Sequence, residues 1–495
     1  MTVAPAAAGG AMIRAVLVDE IDRLRRGLDA AGYTAAAIRD RLGASADEAG
    51  ADDVPLLLRR LGTDAESTTI RLLFLQLPVT VDDLTRVLGD EAPDDLVALG
   101  LASKEDGLLR PRARLVPHRE LLFASDGFPA VAGAGADHVS GLTQSARVCA
   151  NLTPRGRVRA TLDLGTGCGT HALLAARHSH RVVATDVNPR ALAFAAVNAR
   201  LNGIDNVELR QGSLFEPVAG ERFDLIVSNP PFVVSPEQRF TYRDGGVPGD
   251  GFSAQLVEAA PAHLAEGGFA ALLASWIADG SADPFARPRG WVEGSGCDAW
   301  LVAARTLDPL DHAAAWSDGD DLEEWAENLR QLGADRVVEG AVILRRRSAA
   351  SNWVRSDTAP PETPEPASEH IRRVFAANDR LAELDDGGLL AARLELAPPH
   401  RIEASFSARA GRRVPETTRI RLLDGLRFAA EIDPHTAELL VRLDGERTLQ
   451  AALLSLTQEA GLNQAEVEMF SRQAAAIARE MLGLGFLVFA ESTGR

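Results

Sequence analysis

The sequence predicts an α/β protein built around a Rossmann-like, seven-stranded, mainly parallel sheet. The first observation is a change of period. From about residue 155, short apolar runs alternate with helical patterns, as they do in βαβ units. The second observation is that the first of these runs ends in a glycine-rich turn. The third is that the regions on either side show groups of helices followed by short strands. These flanks are predicted to be an N-terminal helical, winged-helix-like domain and a C-terminal α+β, winged-helix-like domain.

Length and composition bound the organisation of the chain. A chain of 495 residues is too long for one ordinary core and indicates two to four domains. We predict a disordered N-terminus, an N-terminal domain, the α/β domain, a proline-rich linker and a C-terminal domain, over residues 1–13, 14–138, 139–348, 349–369 and 370–495. A hydrophobic fraction of 46% and a charged fraction of 25% are typical of a soluble globular protein.

Charge and cysteine content exclude several classes of protein. The net charge of −18 argues against a chain-wide electrostatic grip on nucleic acid. Cys149, Cys168 and Cys297 lack the spacing of metal ligands or of a disulfide framework, so no metal is expected. No apolar run approaches the roughly 18 residues that a membrane span needs. We therefore expect a cytoplasmic protein without a membrane partner.

The N-terminal region combines helical spacing with a hairpin signal. Helices are predicted over residues 13–42, 68–77, 81–88 and 93–99. Two short strands then flank a turn at 104–107. The arginines on and after this hairpin allow a docking wing for nucleic acid or a partner, whereas the acidic side chains of the same region favour a solvated face on a packing domain.

The α/β domain shows seven strand patterns. Strands are predicted over residues 160–164, 181–185, 207–210, 223–228, 269–275, 299–304 and 337–345, and helices over 170–177, 188–202, 253–264 and 322–332. The helix after the second strand starts at Asn188-Pro189 and ends at Asn202-Gly203, which are signals for its two ends. We expect the last strand to run antiparallel.

The C-terminal region is predicted to mix short strands and helices. Strands are expected over residues 401–407, 426–432 and 486–489, and helices over 434–443, 448–459 and from Asn463, where a capping box begins. The region resembles a small winged-helix or PqqD-like module. It shows no catalytic constellation, so we expect it to contact a protein partner or to form a homodimer.

The glycine turn and the acid after the second strand predict a cofactor site. Gly165, Gly167 and Gly169 let the backbone pass close to a ligand, because side chains there would block it. Asp186 ends the second strand, and an acid about 20 residues beyond such glycines is the expected partner of ribose hydroxyls. The structural alternative is that Asp186 caps the next helix.

The sequence Asn229-Pro230-Pro231-Phe232 follows the fourth strand and predicts the chemistry. The Asn229 side-chain carbonyl and the Pro230 backbone carbonyl can each accept one N–H of a planar amino group. Prolines lack N–H donors and fix φ, so the loop offers its carbonyls in a set direction. Phe232 can stack on the planar group. We assign Asn229, Pro230, Pro231 and Phe232 as catalytic residues that work by orientation and preorganised electrostatics.

With these motifs, residues 140–347 resemble the class I S-adenosylmethionine-dependent N-methyltransferases that carry Asn-Pro-Pro-aromatic. Within that group the segment from Asn229 to Pro236 is similar to the HemK-type protein-glutamine methyltransferases. The rRNA guanine N2-methyltransferases usually have histidine after the motif, where this chain has Val233. HemK-type enzymes usually carry a helical bundle before the catalytic domain, whereas this N-terminal region ends in a predicted hairpin.

The resemblance implies S-adenosylmethionine as cofactor and a set of residues that bind it. Asp163 and Gly165 would line its methionine end and Asp186 would hold its ribose. The implied set is Asp163, Gly165, Thr166, Gly167, Gly169, Asp186, Val187, Asn188, Gly212, Ser213, Leu214 and Asn229, with Thr143 and Gln144 from the segment before the first strand. Many relatives place an acid after strand three for the adenine, where this chain has Ser213.

Three functions follow from the sequence. The first is methylation of a glutamine side chain in a protein substrate similar to a release factor. The alternative is methylation of an exocyclic amine of an RNA or DNA base, guanine N2 or adenine N6, with structured RNA as the partner. The acidic net charge favours the protein, and the hairpin arginines favour the nucleic acid. The third is a non-catalytic binding or regulatory protein on the same fold.

Overall fold

The computed structural model of the protein describes residues 18–490, except 44–49, 129–134, 237–242, 244, 281–282, 318, 320, 361–365, 410–411, 460 and 462. The predicted disordered N-terminus over residues 1–13 lies outside the described residues. The chain divides into two compact units. The first takes Met1–Cys149, Gly156–Leu301 and Arg305–Val354, and the second takes Ala150–Arg155, Val302–Ala304 and Arg355–Arg495. The predicted N-terminal and α/β domains thus fall in the same unit.

The first unit begins with helices. They are α1 (Val18–Ala30), α2 (Ala35–Leu42), α3 (Val54–Arg60), α4 (Ala65–Thr69), α5 (Val81–Leu88) and α6 (Ala92–Ala98), with a π-helical turn at Ile70–Phe74. The single helix expected over residues 13–42 is two helices. Gly32 adopts a left-handed conformation with φ of 64°, and the Thr34 side chain caps α2 by accepting from the Ala37 N–H.

Two small antiparallel sheets follow these helices. One has the order β1-β3-β2, and the other pairs β4 with β5. The strands are β1 (Val79–Thr80), β2 (Ala102–Glu105), β3 (Leu108–Pro111), β4 (Arg114–His118) and β5 (Leu121–Ser125). The hairpin predicted around residues 104–107 is confirmed as β2–β3. Arg110 and Arg112 lie 3.2 and 3.5 Å from Glu105, an arrangement that matches the solvated-face interpretation.

The central sheet lies mainly in the first unit. Its strands are β6 (Val158–Leu164), β7 (Ser179–Asp186), β8 (Val207–Gln211), β9 (Phe223–Ser228), β10 (Leu264–Ala278), β11 (Cys297–Leu307), β12 (Arg336–Arg346) and β13 (Val354–Thr358). Their order is β13-β11-β12-β10-β9-β6-β7-β8. The pairs from β8 to β10 are parallel and β12 runs antiparallel to β10, which confirms the mainly parallel, Rossmann-like sheet.

The predicted number of seven strands is corrected to eight. The additional strand β13 lies inside the predicted linker over residues 349–369. Its sequence, Val354 to Thr358, is mostly polar and half-buried, so it lacks the alternating apolar pattern that identifies a strand. Pairing in the sheet, a tertiary effect, decides its conformation.

Helices cover the sheet between its strands. They are α7 (Gln144–Leu152), α8 (Thr170–Ala176), α9 (Pro189–Leu201), α10 (Gly251–Ala259), α11 (Ala286–Val292), α12 (Pro309–Trp316) and α13 (Leu322–Gln331). Helix α9 begins and ends as predicted: Asn188 caps it by accepting from Arg190, and Gly203 is left-handed. Phe194, Val197 and Leu201 of α9 share one buried cluster with α1, so the N-terminal helices pack on this helix.

The second unit is α+β. Its helices are α14 (Ser368–Glu383), α15 (Asp386–Leu390), α16 (Pro434–Val441), α17 (Leu449–Glu459) and α18 (Gln464–Gly483). Its strands are β14 (Arg393–Leu396), β15 (His400–Arg409), β16 (Arg412–Leu422), β17 (Ala429–Ile432), β18 (Asp444–Thr448) and β19 (Leu487–Phe489), in sheets of order β18-β14-β19 and β15-β16-β17. The predicted capping box is confirmed, since Asn463 and Glu466 each accept from the backbone N–H of the other. Among the described residues, no helix has the length and apolar character to cross a membrane.

Candidate active site

The candidate site lies where the strand order reverses. From β6 the chain moves outward on one side through β7 and β8, and then returns to place β9 and β10 on the other side. Asp163 of β6 is in register with Ala184 of β7 and Val227 of β9, so these three strands end next to one another. Open parallel sheets bind ligands in the crevice at this switch point. The glycine turn, Asp186 and Asn229 all follow these strand ends.

The glycine turn connects β6 to α8 in left-handed conformations. Gly165, Gly167 and Gly169 have φ of 70°, 54° and 91°. Glycine adopts these positive φ values at little cost because it has no Cβ. A Cβ on Gly165 or Gly167 would have no atom within 4 Å, so both face open space. A Cβ on Gly169 would lie 3.1 Å from the Ala195 Cβ, so this glycine allows α8 to pack closely on α9. The turn therefore leaves room for a ligand at its first two glycines.

Asp163 is fully buried beneath this turn. Its Oδ2 accepts from the Thr166 hydroxyl at 2.6 Å and from the Ala172 N–H at 2.7 Å. Its Oδ1 is buried and has no hydrogen-bond partner among the described residues. Burial raises the pKa of the Asp163 carboxyl to about 7. One acceptor of the site therefore stays available for a donor that enters the crevice.

We expect Asn at position 163 to change the pH dependence of stability. A carboxyl with a raised pKa in the folded state holds its proton where the unfolded chain has lost it, so its contribution to stability falls as pH rises from about 4 to about 7. Asp163→Asn cannot ionise. Between pH 5 and pH 8 the free energy of unfolding of the wild type should therefore fall relative to that of the variant, by about 1–3 kcal/mol.

Urea unfolding at several pH values measures this difference. Asp64→Asn is the matched control, because Arg41 lowers the pKa of the Asp64 carboxyl to about 2, far below this window. Its stability difference from the wild type should be the same at pH 5 and pH 8. A difference for Asp163→Asn that does not vary with pH would contradict the assigned pKa.

Asp186 closes the other side of the turn. Its Oδ2 accepts from the Gly167 N–H and its Oδ1 from the Asn188 N–H, each at 2.9 Å. Burial raises the pKa of the Asp186 carboxyl, against the lowering effect of these N–H donors. Each carboxylate oxygen has a second lone pair, so Asp186 can still accept from a ligand. It does not act as the side-chain cap of α9, because Asn188 fills that role.

The loop after β8 lies beside Asp186. The Gly212 N–H donates to the Asp186 carbonyl at 3.0 Å, and a Cβ on Gly212 would lie 2.5 Å from Pro217. Ser213 is exposed on this loop, and Leu214 has a left-handed φ of 45°. Val187 is 49% exposed, an apolar side chain left on the surface next to Asp186. The structure thus brings together the predicted residues of the loops that follow β7 and β8.

Asn229 follows β9 and presents an acceptor. Its Nδ2 donates to the Ser145 hydroxyl at 3.3 Å, whereas its Oδ1 is buried and has no hydrogen-bond partner among the described residues. Ser145 lies on α7, where Thr143 caps the helix by accepting from the Ala146 N–H at 3.1 Å. Gln144 is exposed at the start of this helix. Ser145 has no local sequence signal and is the site residue that sequence reasoning missed.

The loop after Asn229 packs against helix α12 and a buried cluster. His312 of α12 is fully buried, and its Nε2 lies 3.0 Å from the Val234 carbonyl oxygen. Phe232 packs on the cluster that contains Val233 and Trp325. These contacts fix the backbone that follows Pro230 and Pro231, so the position of Asn229 does not depend on β9 alone.

The segment between Phe232 and α10 is only partly described. Tyr242 and Asp244 lie outside the described residues. Arg243 donates to the Trp316 carbonyl at 3.3 Å and lies over the Trp325 ring at 5.1 Å. Asp250 is buried, accepts from the Ile277 N–H and pairs with Arg287.

Comparisons with known proteins agree with this geometry. Residues 143–276 match the family described as the methyltransferase small domain, and residues 30–113 match a domain of unknown function, DUF7059. The release factor glutamine methyltransferase of Xylella fastidiosa (strain Temecula1) is 38% identical over 167 residues, which are 31% of this chain and 56% of that protein. The ribosomal protein uL3 glutamine methyltransferase of Bradyrhizobium diazoefficiens is 40% identical over 124 residues, 22% of this chain and 39% of that protein. The chain thus spans about half the length of these curated relatives.

The strand order and the glycine turn are those of the class I methyltransferase fold, and residues 143–276 match the methyltransferase small domain. Within this part of the chain the sequence is similar to curated glutamine methyltransferases. The described residues fit the cofactor of the class. Among the described residues, Gly165 and Gly167 leave open space and Asp163 Oδ1 has no hydrogen-bond partner. The Asp186 carboxylate, with up to four lone pairs, can accept from a ligand in addition to its backbone N–H donors.

Proposed function

We propose that the protein methylates the side-chain amide nitrogen of a glutamine in a protein substrate, with S-adenosylmethionine as methyl donor. The observation that carries the proposal is the buried Oδ1 of Asn229, which follows β9 beside the glycine turn and has no hydrogen-bond partner within the described part of the chain. The names of the curated relatives support glutamine as the acceptor. The methylated amide nitrogen would carry a positive charge and would lose one N–H proton to solvent, since such a cation is strongly acidic. Orientation of the amide is therefore the main contribution expected from the protein.

The chemistry follows from the electronic structure of an amide. Its nitrogen is a poor nucleophile because the lone pair is delocalised into the carbonyl. Asn229 Oδ1 would accept one N–H of the substrate amide and the Pro230 carbonyl would accept the other. Holding both hydrogens favours a pyramidal nitrogen whose lone pair points toward the methyl group. S-adenosylmethionine supplies that methyl on a sulfonium. Phe232 would stack on the amide plane, and Pro231 would hold the loop rigid.

The cofactor-binding roles are proposed on the same basis. Asp186 would accept from the ribose hydroxyls, and the exposed Val187 would offer an apolar surface to the adenine. Asp163 Oδ1 would accept from a donor at the methionine end. The wider set is the one implied by the family resemblance: Gly165, Thr166, Gly167, Gly169, Asn188, Gly212, Ser213, Leu214, Thr143 and Gln144.

The substrate and partners belong to this proposal as well. Two protein classes are suggested by the relatives' names, a release factor and ribosomal protein uL3. The C-terminal unit would contact a protein partner or a second copy of the chain. The C-terminal unit would then serve substrate choice more than chemistry, because the proposed reacting groups lie at the ends of β6, β7 and β9.

Methyl-labelling separates protein from nucleic-acid acceptors. The purified protein is incubated with S-adenosylmethionine carrying a labelled methyl group, together with a release factor, with uL3 or with total RNA. Label should enter a glutamine of one of the two proteins, located by mass spectrometry of peptides, and should resist nuclease. Label that enters RNA and is released by nuclease would overturn the proposed acceptor in favour of a base amine. No transfer to any sample, with cofactor binding intact, would exclude both test proteins.

A further inference from the structure

Asn198 of helix α9 and Asn202, which caps the C-terminal end of that helix, lie one helical turn apart and face strand β5. Asn198 Oδ1 accepts from the Ala124 N–H at 2.7 Å, and its Nδ2 donates to the Ala124 carbonyl at 2.8 Å. Asn202 repeats the pattern on Leu122, at 2.8 and 2.7 Å. Residues four apart in a helix lie on one face, so the two amides bind alternate residues of the strand as a neighbouring strand would.

The third contact distinguishes the two asparagines. Asn198 Nδ2 also donates to the Cys168 carbonyl at 2.8 Å, within the glycine turn. Asn202 Nδ2 instead donates to the Asn198 carbonyl of its own helix at 2.7 Å. Asn198 is fully buried, so its amide has no competing water. One side chain therefore joins β5 to the loop that is proposed to hold the cofactor.

A second connection reaches the loop after Asp186. Asp126, directly after β5, pairs with Arg190 through two bonds of 2.9 and 2.7 Å. The Asp137 carbonyl accepts from Asn188 Nδ2 at 2.9 Å and from Arg190 at 3.0 Å. The chain segment that follows the N-terminal helices therefore contacts both loops of the proposed cofactor site.

We propose that Asn198 is a positioning residue through which strand β5 holds the glycine turn in its cofactor-binding conformation. This role rests on the proposed binding of S-adenosylmethionine. If Asn198 has this role, the N-terminal region is a structural part of the cofactor site. A separate substrate-binding domain, in contrast, would leave the glycine turn unaffected. Because the coupling is an equilibrium property, a ligand in the turn must in return stabilise β5.

Asn198→Asp and Asn202→Asp form a matched pair. Each replaces the same amide by a carboxyl and removes donation to a carbonyl of β5, but only Asn198→Asp also removes donation to the Cys168 carbonyl. Both variants should melt at lower temperature than the wild type. Calorimetric titration with S-adenosylhomocysteine should show about tenfold weaker binding for Asn198→Asp and a change within about twofold for Asn202→Asp. Equal effects on binding in the two variants would overturn the assignment.

Hydrogen exchange in the wild type tests the same coupling without a substitution, so a variant that fails to fold does not end the test. Adding S-adenosylhomocysteine should slow exchange of the Leu122 and Ala124 amides more than exchange of the hairpin β2–β3. Binding without this selective protection would overturn the role of Asn198 and leave the proposed function standing. A wild type that binds no S-adenosylhomocysteine would overturn both.

Discussion

Asn229→Ala should abolish turnover and leave cofactor affinity nearly unchanged. The substitution removes the unpaired Oδ1 that is proposed to accept an N–H of the substrate amide. Loss of one preorganised polar group in an active site costs on the order of 10²–10³ in rate. Initial rates of labelled-methyl transfer would give the loss of activity, and calorimetric titration with S-adenosylhomocysteine would give the affinity.

Ser145→Ala is the control for this variant. Ser145 accepts from Asn229 Nδ2, so its removal loosens the Asn229 side chain but keeps the carbonyl. The rate should fall by much less than in Asn229→Ala. If Asn229→Ala loses cofactor binding together with activity, Asn229 belongs to the cofactor site and the proposed grip on the substrate amide is wrong.

Asp186→Ala should lose affinity for the cofactor, the step that precedes methyl transfer. Hydrogen bonds to a charged group are worth about 1.5–3 kcal/mol each, so losing two from ribose hydroxyls should weaken cofactor binding about 100-fold or more. The variant also removes the acceptor of the Gly167 N–H and so loosens the glycine turn. Calorimetric titration with S-adenosylhomocysteine measures the loss directly.

Asp205→Ala removes an acid of the same size from the exposed loop before β8, at the other end of the sheet. Its affinity for S-adenosylhomocysteine should match that of the wild type. Unchanged affinity in Asp186→Ala as well would show that the ribose contact is misassigned.

Local signals account for the parts of the fold that sequence reasoning predicts well. The helix over residues 81–88 and the strand over residues 223–228 have the predicted bounds. The helix is capped by Thr80, which accepts from the Asp83 N–H, and ends at the left-handed Gly89. Such caps act within a few residues and are therefore legible in the sequence.

Tertiary contacts explain what the sequence does not show. Strand β10 starts at Leu264 and not at the predicted residue 269, because the two glycines that look like a break lie in an irregularity of the β9–β10 pair. A Cβ on Gly268 would lie 2.9 Å from the Phe223 carbonyl oxygen, so glycine there permits close pairing.

The candidate site likewise contains residues that can be predicted from local sequence signals and residues that cannot. The glycine turn, Asp186 and Asn229 are predictable because each follows a strand in a recognisable order. Ser145 and Asn198 are not, because their contacts lie 84 and 30 residues away in the chain.

The asparagine pair on α9 also bears on aggregation. Among the strands that the structure describes, β5 pairs with β4 alone, so its other edge would expose unpaired N–H and C=O groups to neighbouring molecules without further cover. Asn198 and Asn202 occupy those groups at Ala124 and Leu122 with side chains, which cannot extend a sheet further. A chain in which α9 separates from β5 would present an open strand edge with the apolar sequence Leu-Leu-Phe-Ala. The same two amides therefore cover this edge of β5 against edge-to-edge association in the folded protein.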